Sequence, residues 1–387
     1  MTREHLLIIG GGIIGALSAW SLRQEGFAGR ISVIERDPTY RFASTALSAA
    51  SIRTQFACPV NVELSLFGAQ FLKNVSGSLG VEADIGFVEN GYLILGDERT
   101  LPAREQALDM QRACGAAVER LEAPALAERF PWLSTDGVAM ATFGTRDEGW
   151  FDAWSLLQAA KSAAQAADVA FVRAEATGFT TRGGRIVALE TAGGEIAGDW
   201  FVNAAGAASA RVARWLGRDL PVRARKRTVF HIKAPLDSER MPMLFDVSGA
   251  WMRPERDGFI AGIAPLDDCD PDADGDFEPD HALFEEALWP ILAARVPALE
   301  ELRVQSAWAG HYEMCLFDHN GIVGFAPEAE NYILATGFSG HGVMHAPGVA
   351  RGVAELVVHG AYRSIDLAPL GIERIIAGRP MPESAIY

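Results

Sequence analysis

The feature that most constrains the fold is a glycine pattern that directly follows an apolar run near the N-terminus. Residues His5–Ile9 form the apolar run, and residues 10–15 then read G-G-G-I-I-G, which contains the spacing G-x-G-x-x-G. Residues 16–24 have the pattern of a helix, and a second apolar run at residues 31–34 ends at Glu35. These parts fall within the roughly 30 residues that a βαβ unit occupies. The sequence therefore predicts an α/β fold that begins with a Rossmann-type dinucleotide-binding unit.

Each glycine of this pattern has its own physical task. Gly10 allows a tight turn, Gly12 lets the backbone approach a pyrophosphate, and Gly15 lets the helix pack closely on the strand. The helix N-terminus offers free N–H groups to the phosphates. Glu35, 20 residues after Gly15, can accept hydrogen bonds from both ribose hydroxyls. A glycine-rich turn in an unrelated α/β protein is the alternative, and the pattern by itself does not distinguish FAD from NAD.

Three further segments rich in small residues are spread along the chain. Residues 44–56 carry small hydroxyl side chains, which suit a backbone pressed against a phosphate chain or a flat ring. Residues 201–209 form an apolar strand that ends in a small-residue turn. Residues 331–348 form another glycine-rich junction, about 320 residues after the first, with a helix predicted from about residue 349 to 358. Taken singly, each segment is typical of an ordinary loop between a strand and a helix.

Together these segments resemble the class of FAD-dependent oxidoreductases that contains D-amino-acid oxidase, glycine oxidase and sarcosine oxidase. The resemblance covers nearly the whole chain. Besides the N-terminal glycine pattern, it rests on residues 203–206 (NAAG), 251–255 (WMRPE) with Gly258, 308–310 (WAG) and 336–342 (TGFSGHG).

One subgroup of this class looks closest. Residues 51–56, and residues 308–312 followed by 317–321, are most similar to the respiratory complex I assembly factors that contain an FAD-dependent oxidoreductase domain, and to their bacterial relatives. The dimethylglycine and sarcosine dehydrogenases are also similar in these places.

The resemblance implies an α/β fold with two interleaved domains. A Rossmann-type FAD-binding domain would take residues 1–83, 148–218 and 318–387. A substrate-binding domain of α+β type, an antiparallel sheet with helices, would take residues 84–147 and 219–317.

The resemblance also implies where FAD is held. The glycine pattern would hold the pyrophosphate, Glu35 the adenosine ribose, and residues 337–342 would meet the flavin ring at its N1–C2=O side. There the dipole of the following helix would stabilise negative charge on the reduced flavin. The residues assigned to the cofactor are Gly10, Gly12, Ile13, Ile14, Gly15, Glu35, Arg36, Ser44, Thr45, Ser48, Ala49, Ala50, Ala176, Ala205, Gly206, Gly310, Gly337, Phe338, Ser339, Gly340, His341 and Gly342.

Three residues match positions at which the family binds a substrate carboxylate. Arg53 lies at, or one residue from, a family arginine, and a guanidinium can meet a carboxylate with two hydrogen bonds. Tyr312 falls where relatives place a tyrosine or an arginine, and Arg253 lies on a strand expected to face the pocket. A solvated or salt-bridge position is the alternative for each arginine, and a solvated face is favoured for the basic cluster at residues 225–227.

The resemblance predicts an enzyme that oxidises the C–N bond of an amino acid or an N-substituted amino acid, such as glycine or sarcosine. Hydride transfer to the flavin would be followed by hydrolysis of the imine, and no general base is required. His341 is then a structural or flavin-edge residue. Two alternatives stay open: a non-catalytic flavoprotein assembly factor, and an FAD-dependent 2-hydroxy-acid dehydrogenase.

Two positions depart from the monomeric sarcosine oxidases. Gly310 stands where those enzymes carry the cysteine that binds FAD covalently, so non-covalent FAD is predicted. Ile260 stands where they carry a lysine that promotes the reaction with oxygen. The electron acceptor is therefore predicted to be oxygen or, with faster turnover, a quinone or an electron-transfer protein.

Charge and cysteine content exclude several partners. The chain has 34 lysines and arginines against 50 acidic residues, a net charge of −16, which disfavours nucleic acid and anionic membranes. Glycines in the apolar N-terminal stretch disfavour membrane insertion. The four cysteines stand alone, which predicts no disulfide, no zinc site and a reducing, cytoplasmic compartment. Within the acidic residues 267–280, residues 270–275 begin like a calcium loop, but His281 stands at the position of the bidentate glutamate, so a solvated loop and no metal are predicted.

Overall fold

Two large sheets dominate the structure, a computed structural model that describes residues 4–265, 270–273 and 275–384. The strands are β1 (His5–Ile9), β2 (Arg30–Glu35), β3 (Ser51–Ile52), β4 (Tyr92–Gly96), β5 (Val118–Leu121), β6 (Met140–Gly144), β7 (Gly149–Trp150), β8 (Val169–Arg173), β9 (Ala176–Arg182), β10 (Arg185–Thr191), β11 (Gly194–Ala197), β12 (Trp200–Asn203), β13 (Val222–Lys233), β14 (Met243–Phe245), β15 (Trp251–Glu255), β16 (Gly258–Gly262), β17 (Arg303–Cys315), β18 (Ile322–Phe325) and β19 (Tyr332–Thr336).

Helices connect and cover these strands. They are α1 (Ile13–Gln24), α2 (Ser44–Leu47), α3 (Pro59–Lys73), α4 (Val75–Leu79), α5 (Leu101–Ala113), α6 (Ala123–Arg129), α7 (Ala153–Ala166), α8 (Ser209–Arg214), α9 (His281–Leu283), α10 (Trp289–Arg295), α11 (Gly342–His359) and α12 (Glu373–Ile376). Short helical segments of other kinds lie at Gly206–Ala208, Phe284–Leu288, Pro297–Glu301 and Ala368–Leu370.

The first sheet carries the N-terminal glycine pattern at the end of a central strand. Its order is β18-β19-β12-β1-β2-β8, with β18 antiparallel at one edge and the other neighbours parallel. Side chains of β1 alternate between two cores, because successive residues of a strand point to opposite faces. Leu6 and Ile8 face the core of α1, α7 and α11, whereas Leu7 packs with Phe201 on the other face. This sheet is therefore buried on both faces, as parallel sheets usually are.

The second sheet has eight strands in the order β17-β13-β16-β15-β14-β4-β6-β5, and only the pair β14 and β4 is parallel. Along β4, Leu93 and Leu95 pack into a core with α6 and α10, whereas Tyr92 and Ile94 face a small aromatic cluster on the opposite side. That second face turns toward the site described below.

Each of the two large sheets takes its strands from the segments of one predicted domain. Every strand of the first sheet lies within residues 1–83, 148–218 or 318–387, and every strand of the second lies within 84–147 or 219–317. We keep the division into an FAD-binding and a substrate-binding domain as a proposal that this distribution supports. The mixture of parallel and antiparallel sheets with covering helices confirms the predicted fold class.

Helix α11 begins at Gly342, seven residues before the start predicted from the sequence. Pro347 lies inside this helix. An interior proline removes one backbone hydrogen bond and usually marks a helix boundary, which is why the sequence pattern indicated a later start. The earlier start matters because it brings the helix N-terminus to the glycine-rich segment at residues 336–342 rather than beyond it.

The acidic segment forms ion pairs with a strand, whereas the sequence predicted a solvated loop. Asp267, Asp268, Cys269 and Asp274 lie outside the described residues. Three aspartates of the described part form ion pairs with residues 225–227 of β13. The predicted solvated loop and solvated basic cluster are therefore partners of each other.

Three properties of the described residues concern partners and cofactors. Cys58, Cys114 and Cys315 are free thiols. Within the described ranges, no group of His, Cys, Asp or Glu side chains could hold a metal ion. None of the helices built from these residues is both long enough and apolar enough to cross a membrane.

Candidate functional site

Two adjoining cavities are lined by residues from both sheets. The larger has a volume of about 470 Å³ and extends from the glycine pattern after β1 to the N-terminus of α11. The smaller has a volume of about 70 Å³ and lies beside Arg53. The residues that line both cavities are Ser48, Ala49, Trp251, Tyr312, Gly340 and Val343.

Most residues predicted for the cofactor come together around these cavities. The larger cavity is lined by Gly10, Gly12, Ile13, Ile14, Glu35, Arg36, Ser44, Thr45, Ser48, Ala49, Ala205, Gly206, Gly310, Gly340 and Gly342. The smaller cavity adds Ala50, Ser339 and His341. Among the described residues, those predicted for the cofactor that line neither cavity are Gly15, Ala176, Gly337 and Phe338.

The glycine pattern has the close contacts that its spacing predicts. Gly10 has a φ of +101°, and a Cβ at this position would lie 2.3 Å from the backbone oxygen of Ala204. A Cβ on Gly15 would lie 2.0 Å from the backbone oxygen of Gly10, so only glycine lets α1 approach β1 this closely. Gly15 therefore acts through this packing. The N-terminus of α1 opens into the larger cavity, where the N–H of Ile13 donates to Thr45 Oγ1 at 3.2 Å.

Glu35 lies at the far end of the larger cavity and organises the backbone around it. Its Oε2 accepts from the N–H of Gly11 at 2.8 Å, and its Oε1 accepts from the N–H of Asp37 at 2.8 Å. Arg36 is next to it in the lining. The segment that pairs with Glu35 is centred on Arg173 and Ala174 rather than on Ala176, which begins the next strand.

The segment before α11 forms a sharply bent loop against β17. Ser339 has a φ of +48° and Gly340 a φ of +93°, and a Cβ on Gly340 would lie 2.3 Å from the ring of Tyr312. The hydroxyl of Ser339 accepts from the N–H of Cys315 at 2.9 Å. Phe338 is 1% exposed and supports this loop from behind. The bend brings the N–H groups at the start of α11 to the cavity wall.

The smaller cavity combines one arginine with aromatic walls. Arg53 is 5% exposed, donates from Nη1 to the backbone oxygen of Gln55 at 2.6 Å, and stacks on the Phe56 ring at 3.9 Å. Of the described residues that line this cavity, Arg53 is the one arginine or lysine, and none is an aspartate or a glutamate. The aromatic side chains of the wall are Tyr92, Phe245, Trp251 and Tyr312.

A buried carboxylate fixes the segment that carries Arg53. Glu148 is fully buried and accepts from the N–H of Thr54 at 2.7 Å, from its hydroxyl at 2.6 Å and from Gln55 Nε2 at 2.8 Å. Burial raises the pKa of Glu148, against the lowering effect of these donors and of Arg53. No local sequence pattern predicts this role, because Glu148 is 94 residues from Thr54.

Arg253 lies beside the site but points elsewhere. Its Nε and Nη2 donate to the backbone oxygen of Ala49 at 3.1 and 2.7 Å, and its Nη1 donates to Glu255 and to the backbone oxygen of Pro254. Among the described residues, it is not part of the lining of either cavity. Its hydrogen bonds hold the backbone of Ala49, which lines both cavities.

Two buried histidines lie at the smaller cavity: His341 lines it, and His345 contacts His341. His341 and His345 lie with ring centroids 4.9 Å apart, and Phe56 contacts both rings. Burial lowers the pKa of His341 well below its usual value, helped by His345 and Arg53, and burial lowers the pKa of His345 to about 3. Both imidazoles are therefore neutral at pH 7 and add no positive charge to that of Arg53.

Glu313 is a site residue that sequence reasoning missed. It lines the larger cavity beside Tyr312 and accepts from the Thr336 hydroxyl at 2.8 Å and from the N–H of Gly337 at 3.1 Å. Burial raises the pKa of its carboxyl to about 6, although both donors lower it. The available signal was a lone acid between Tyr312 and Met314 in an otherwise apolar part of β17.

Comparison with known proteins identifies the family of this chain. A family described as DAO, FAD dependent oxidoreductase, matches residues 5–356. The chain belongs to this family. It is therefore an FAD-dependent oxidoreductase, as the glycine pattern and the two distant glycine-rich junctions predicted.

Three proteins similar to this DAO-family chain illustrate the range of its relatives. FAD-dependent oxidoreductase domain-containing protein 1 of Xenopus laevis is 39% identical over 99% of this chain and 85% of its own length. Mouse mitochondrial sarcosine dehydrogenase is 26% identical over 92% of this chain and 40% of its own length. The crystal structure of L-proline dehydrogenase from P. horikoshii superposes with a TM-score of 0.86 at 25% identity, covering 98% of this chain and 99% of that one.

In this DAO-family chain, most of the residues predicted for FAD come together around the larger cavity. The crowded turn at Gly10 and the open N-terminus of α1 would hold the pyrophosphate, and Glu35 would hold the ribose. The bent loop at Gly340 and the start of α11 would meet the flavin. Gly310 packs with its Cα side against Leu47, where an added Cβ would lie 2.9 Å from the Leu47 Cβ. No cysteine belongs to the lining formed by the described residues. Non-covalent binding of FAD stays a prediction.

Glu313 leads to a prediction about the pH dependence of stability. Because the folded pKa of about 6 exceeds the ordinary 4.5, the stability of the unchanged protein falls as pH rises from about 4.5 through about 6. Glu313→Gln removes this loss. Relative to the unchanged protein, the variant should therefore gain on the order of 2 kcal/mol across that range, at 1.36 kcal/mol per pKa unit. Thermal midpoints of both proteins between about pH 4 and about pH 8 measure the gain.

Glu355 provides a control of opposite sign. It is buried in α11, and donors from Ser364, Arg363 and Arg351 lower its pKa against the raising effect of burial. Its contribution to stability is present above its unfolded pKa, so Glu355→Gln should lose stability relative to the unchanged protein as pH rises. If the midpoint difference of Glu313→Gln does not vary with pH, Glu313 does not titrate in this range.

Proposed function

We propose that this DAO-family enzyme oxidises the C–N bond of a small amino acid or N-substituted amino acid. The observation that supports this most is the smaller cavity, which places Arg53 beside aromatic walls and shares six lining residues with the cofactor cavity. A substrate held there would have its carboxylate at Arg53 and its α-carbon toward the shared wall. Sarcosine dehydrogenase and L-proline dehydrogenase among the relatives act, by their names, on substrates of this chemistry.

The residues of this chain would position the substrate, whereas bound FAD supplies the two-electron acceptor. Arg53 would bind the carboxylate with two hydrogen bonds, and we propose it rather than Arg253 because Arg253 faces Ala49. The Tyr312 hydroxyl, whose pKa burial raises, stays protonated and can donate to the same carboxylate. The aromatic wall excludes water, which strengthens both interactions. Loss of a hydride from the carbon to the two-electron acceptor and of a proton from the nitrogen would leave an imine, which water hydrolyses to an oxo compound and ammonia or an amine.

Anaerobic bleaching of the flavin tests this proposal. The purified protein is mixed with glycine, sarcosine, N-alkyl amino acids, proline and 2-hydroxyglutarate, and the loss of flavin absorbance is followed. We expect reduction by at least one of the amino acids or N-alkyl amino acids. Reduction by 2-hydroxyglutarate alone would favour a hydroxy-acid dehydrogenase, and an unchanged spectrum with every compound would favour a non-catalytic flavoprotein.

Reoxidation of the reduced flavin by air is expected to be slow. Ile260 is 2% exposed among Tyr92, Trp150 and Val229 and supplies no charge. Two other candidate cations are unsuited to replace a lysine: His341 is neutral, and Arg227 is bound by both oxygens of Asp270. A loss of about 3–4 kcal/mol of electrostatic stabilisation of superoxide slows the oxygen step by roughly 10²–10³. Stopped-flow mixing with oxygen and with a soluble quinone measures both rates, and an oxygen rate equal to the quinone rate would refute the expectation.

A further inference from the structure

A short acidic segment lies beside the larger cavity and contributes Phe277 to its lining. We call its described residues, 270–273 and 275–280, the acidic strap. The strap runs along β13, where Ala273 donates its N–H to the backbone oxygen of Ala224 at 3.0 Å and Asp280 donates its N–H to the Thr228 hydroxyl at 3.0 Å. These backbone contacts place the strap beside the strand that forms part of the cavity wall.

Ion pairs hold the strap to β13. Three consecutive basic residues each bind a different aspartate: Arg225 binds Asp272 at 2.8 Å, Lys226 binds Asp276 at 2.7 Å, and Arg227 binds Asp270 with two hydrogen bonds of 2.9 Å. The partners are 43 to 50 residues apart in the chain. Only the pair of Arg227 and Asp270 is bidentate, and Arg227 is itself a residue of the cavity lining. That pair is therefore the strongest of the three.

An aromatic contact joins the strap to the wall of the larger cavity. Phe277 lines the larger cavity, and its ring is stacked on the His311 ring with centroids 4.0 Å apart. The Phe42 ring, which is 46% exposed, lies 4.6 Å from Phe277 and belongs to the segment between β2 and α2. His311 also forms a hydrogen bond of 2.6 Å from Nε2 to the backbone oxygen of Asp276. The strap thus joins both walls of the cavity, one through Phe42 and the other through His311.

The position of this contact suggests its task. His311 follows Gly310, and Arg227 is the cross-strand neighbour of Gly310. Both contacts therefore lie at one place in the cavity wall, where Gly310 is part of the lining. We propose that the acidic strap retains FAD in this chain, by closing the larger cavity between Phe42 and His311. The proposal rests on FAD being bound without a covalent link.

The contacts imply that this retention depends on salt. Exposed ion pairs are weak and screened by salt, and Asp272 and Asp276 are about half exposed, with side-chain exposures of 57% and 48%. Stacking of Phe277 on His311 is less sensitive to salt. Raising the salt concentration should therefore loosen the strap without removing its aromatic contact.

The test measures how fast FAD leaves the holo-protein. Protein is diluted at low and at high salt, and the bound fraction is followed by rapid gel filtration. Phe277→Ala and Asp270→Asn should each release FAD about tenfold faster, near the upper range for one aromatic or charge-assisted contact. Asp257→Asn is the matched control. It breaks the exposed ion pair between Asp257 and Lys233, and Lys233 lies on β13 like residues 225–227 but does not line the cavity. This control should release FAD as slowly as the unchanged protein.

A charge exchange separates the strap contact from a general loss of structure. Lys226→Asp should speed release, and adding Asp276→Lys to it should restore slow release, because the same pair then forms with reversed charges. High salt should speed release from the unchanged protein more than from Lys226→Asp, in which one of the exposed pairs is already absent. Release from every strap variant at the rate of Asp257→Asn would overturn the proposal. Flavin that stays with acid-precipitated protein would also overturn it, since a covalent bond would then retain the cofactor.

Discussion

Arg53→Ala is expected to weaken flavin reduction by carboxylate substrates at least about 30-fold while FAD stays bound. A charge-assisted pair in a cavity that excludes water contributes about 2–5 kcal/mol, and 1.4 kcal/mol corresponds to tenfold in affinity. Arg53 is 5% exposed and does not line the larger cavity, so its removal should leave the glycine pattern and Glu35 in place. Anaerobic titration of flavin reduction measures the change in apparent affinity.

Two controls isolate the carboxylate interaction of Arg53. The methyl ester of the same substrate has no carboxylate, so the variant should bind it about as well as the unchanged protein does. Arg256→Ala removes an arginine with an 87% exposed side chain and should have no effect on either compound. If Arg53→Ala is reduced normally by the carboxylate substrate, Arg53 does not bind it, and Arg253 becomes the next residue to test.

Gly10→Ala is expected to abolish the yellow colour of the purified protein. A Cβ would lie 2.3 Å from the backbone oxygen of Ala204, which cannot move without displacing β12. The φ of +101° adds backbone strain. Together these effects should weaken FAD binding at least about 100-fold, equivalent to roughly 3 kcal/mol. The ratio of flavin to protein absorbance and the thermal midpoint measure the loss.

Gly217→Ala is the matched control for Gly10→Ala. Gly217 also has a positive φ, +80°, but no atom lies within 4 Å of the Cβ that alanine would add. This variant experiences the backbone strain without the steric overlap and should keep its FAD. Equal loss of flavin in both variants would mean that strain alone, rather than contact between the glycine loop and β12, explains the effect.

Residues that are close in the chain were predicted well. The strand His5–Ile9, the glycine pattern, helix α1 and Glu35 follow one another within one βαβ unit, and the structure brings them to one cavity. Their relative positions depend on local backbone geometry and on the rule that parallel strands are joined by right-handed crossovers. The family, the fold class and FAD as cofactor could therefore be read from the sequence.

Choices between similar residues needed the tertiary structure. Arg53 and Arg253 both match plausible positions, and only the direction of each side chain separates them: Arg253 binds Ala49, 204 residues away. Glu313 gave little signal because its burial depends on the loop before α11, which packs on β17 from the far end of the chain. Helix α11 itself extends through Pro347, since tertiary packing outweighs the lost hydrogen bond.

By itself, the sequence determined the nucleotide-binding unit, the cofactor and the class of reaction, because these depend on residue types at short, fixed spacings. The tertiary structure alone decided which arginine lines the smaller cavity, where a buried carboxyl meets the cofactor cavity, and that the acidic segment binds the basic residues of β13. Each of these is a contact between segments tens to hundreds of residues apart. Such contacts depend on how the two sheets and their connections pack, which no local pattern of charge or hydrophobicity specifies.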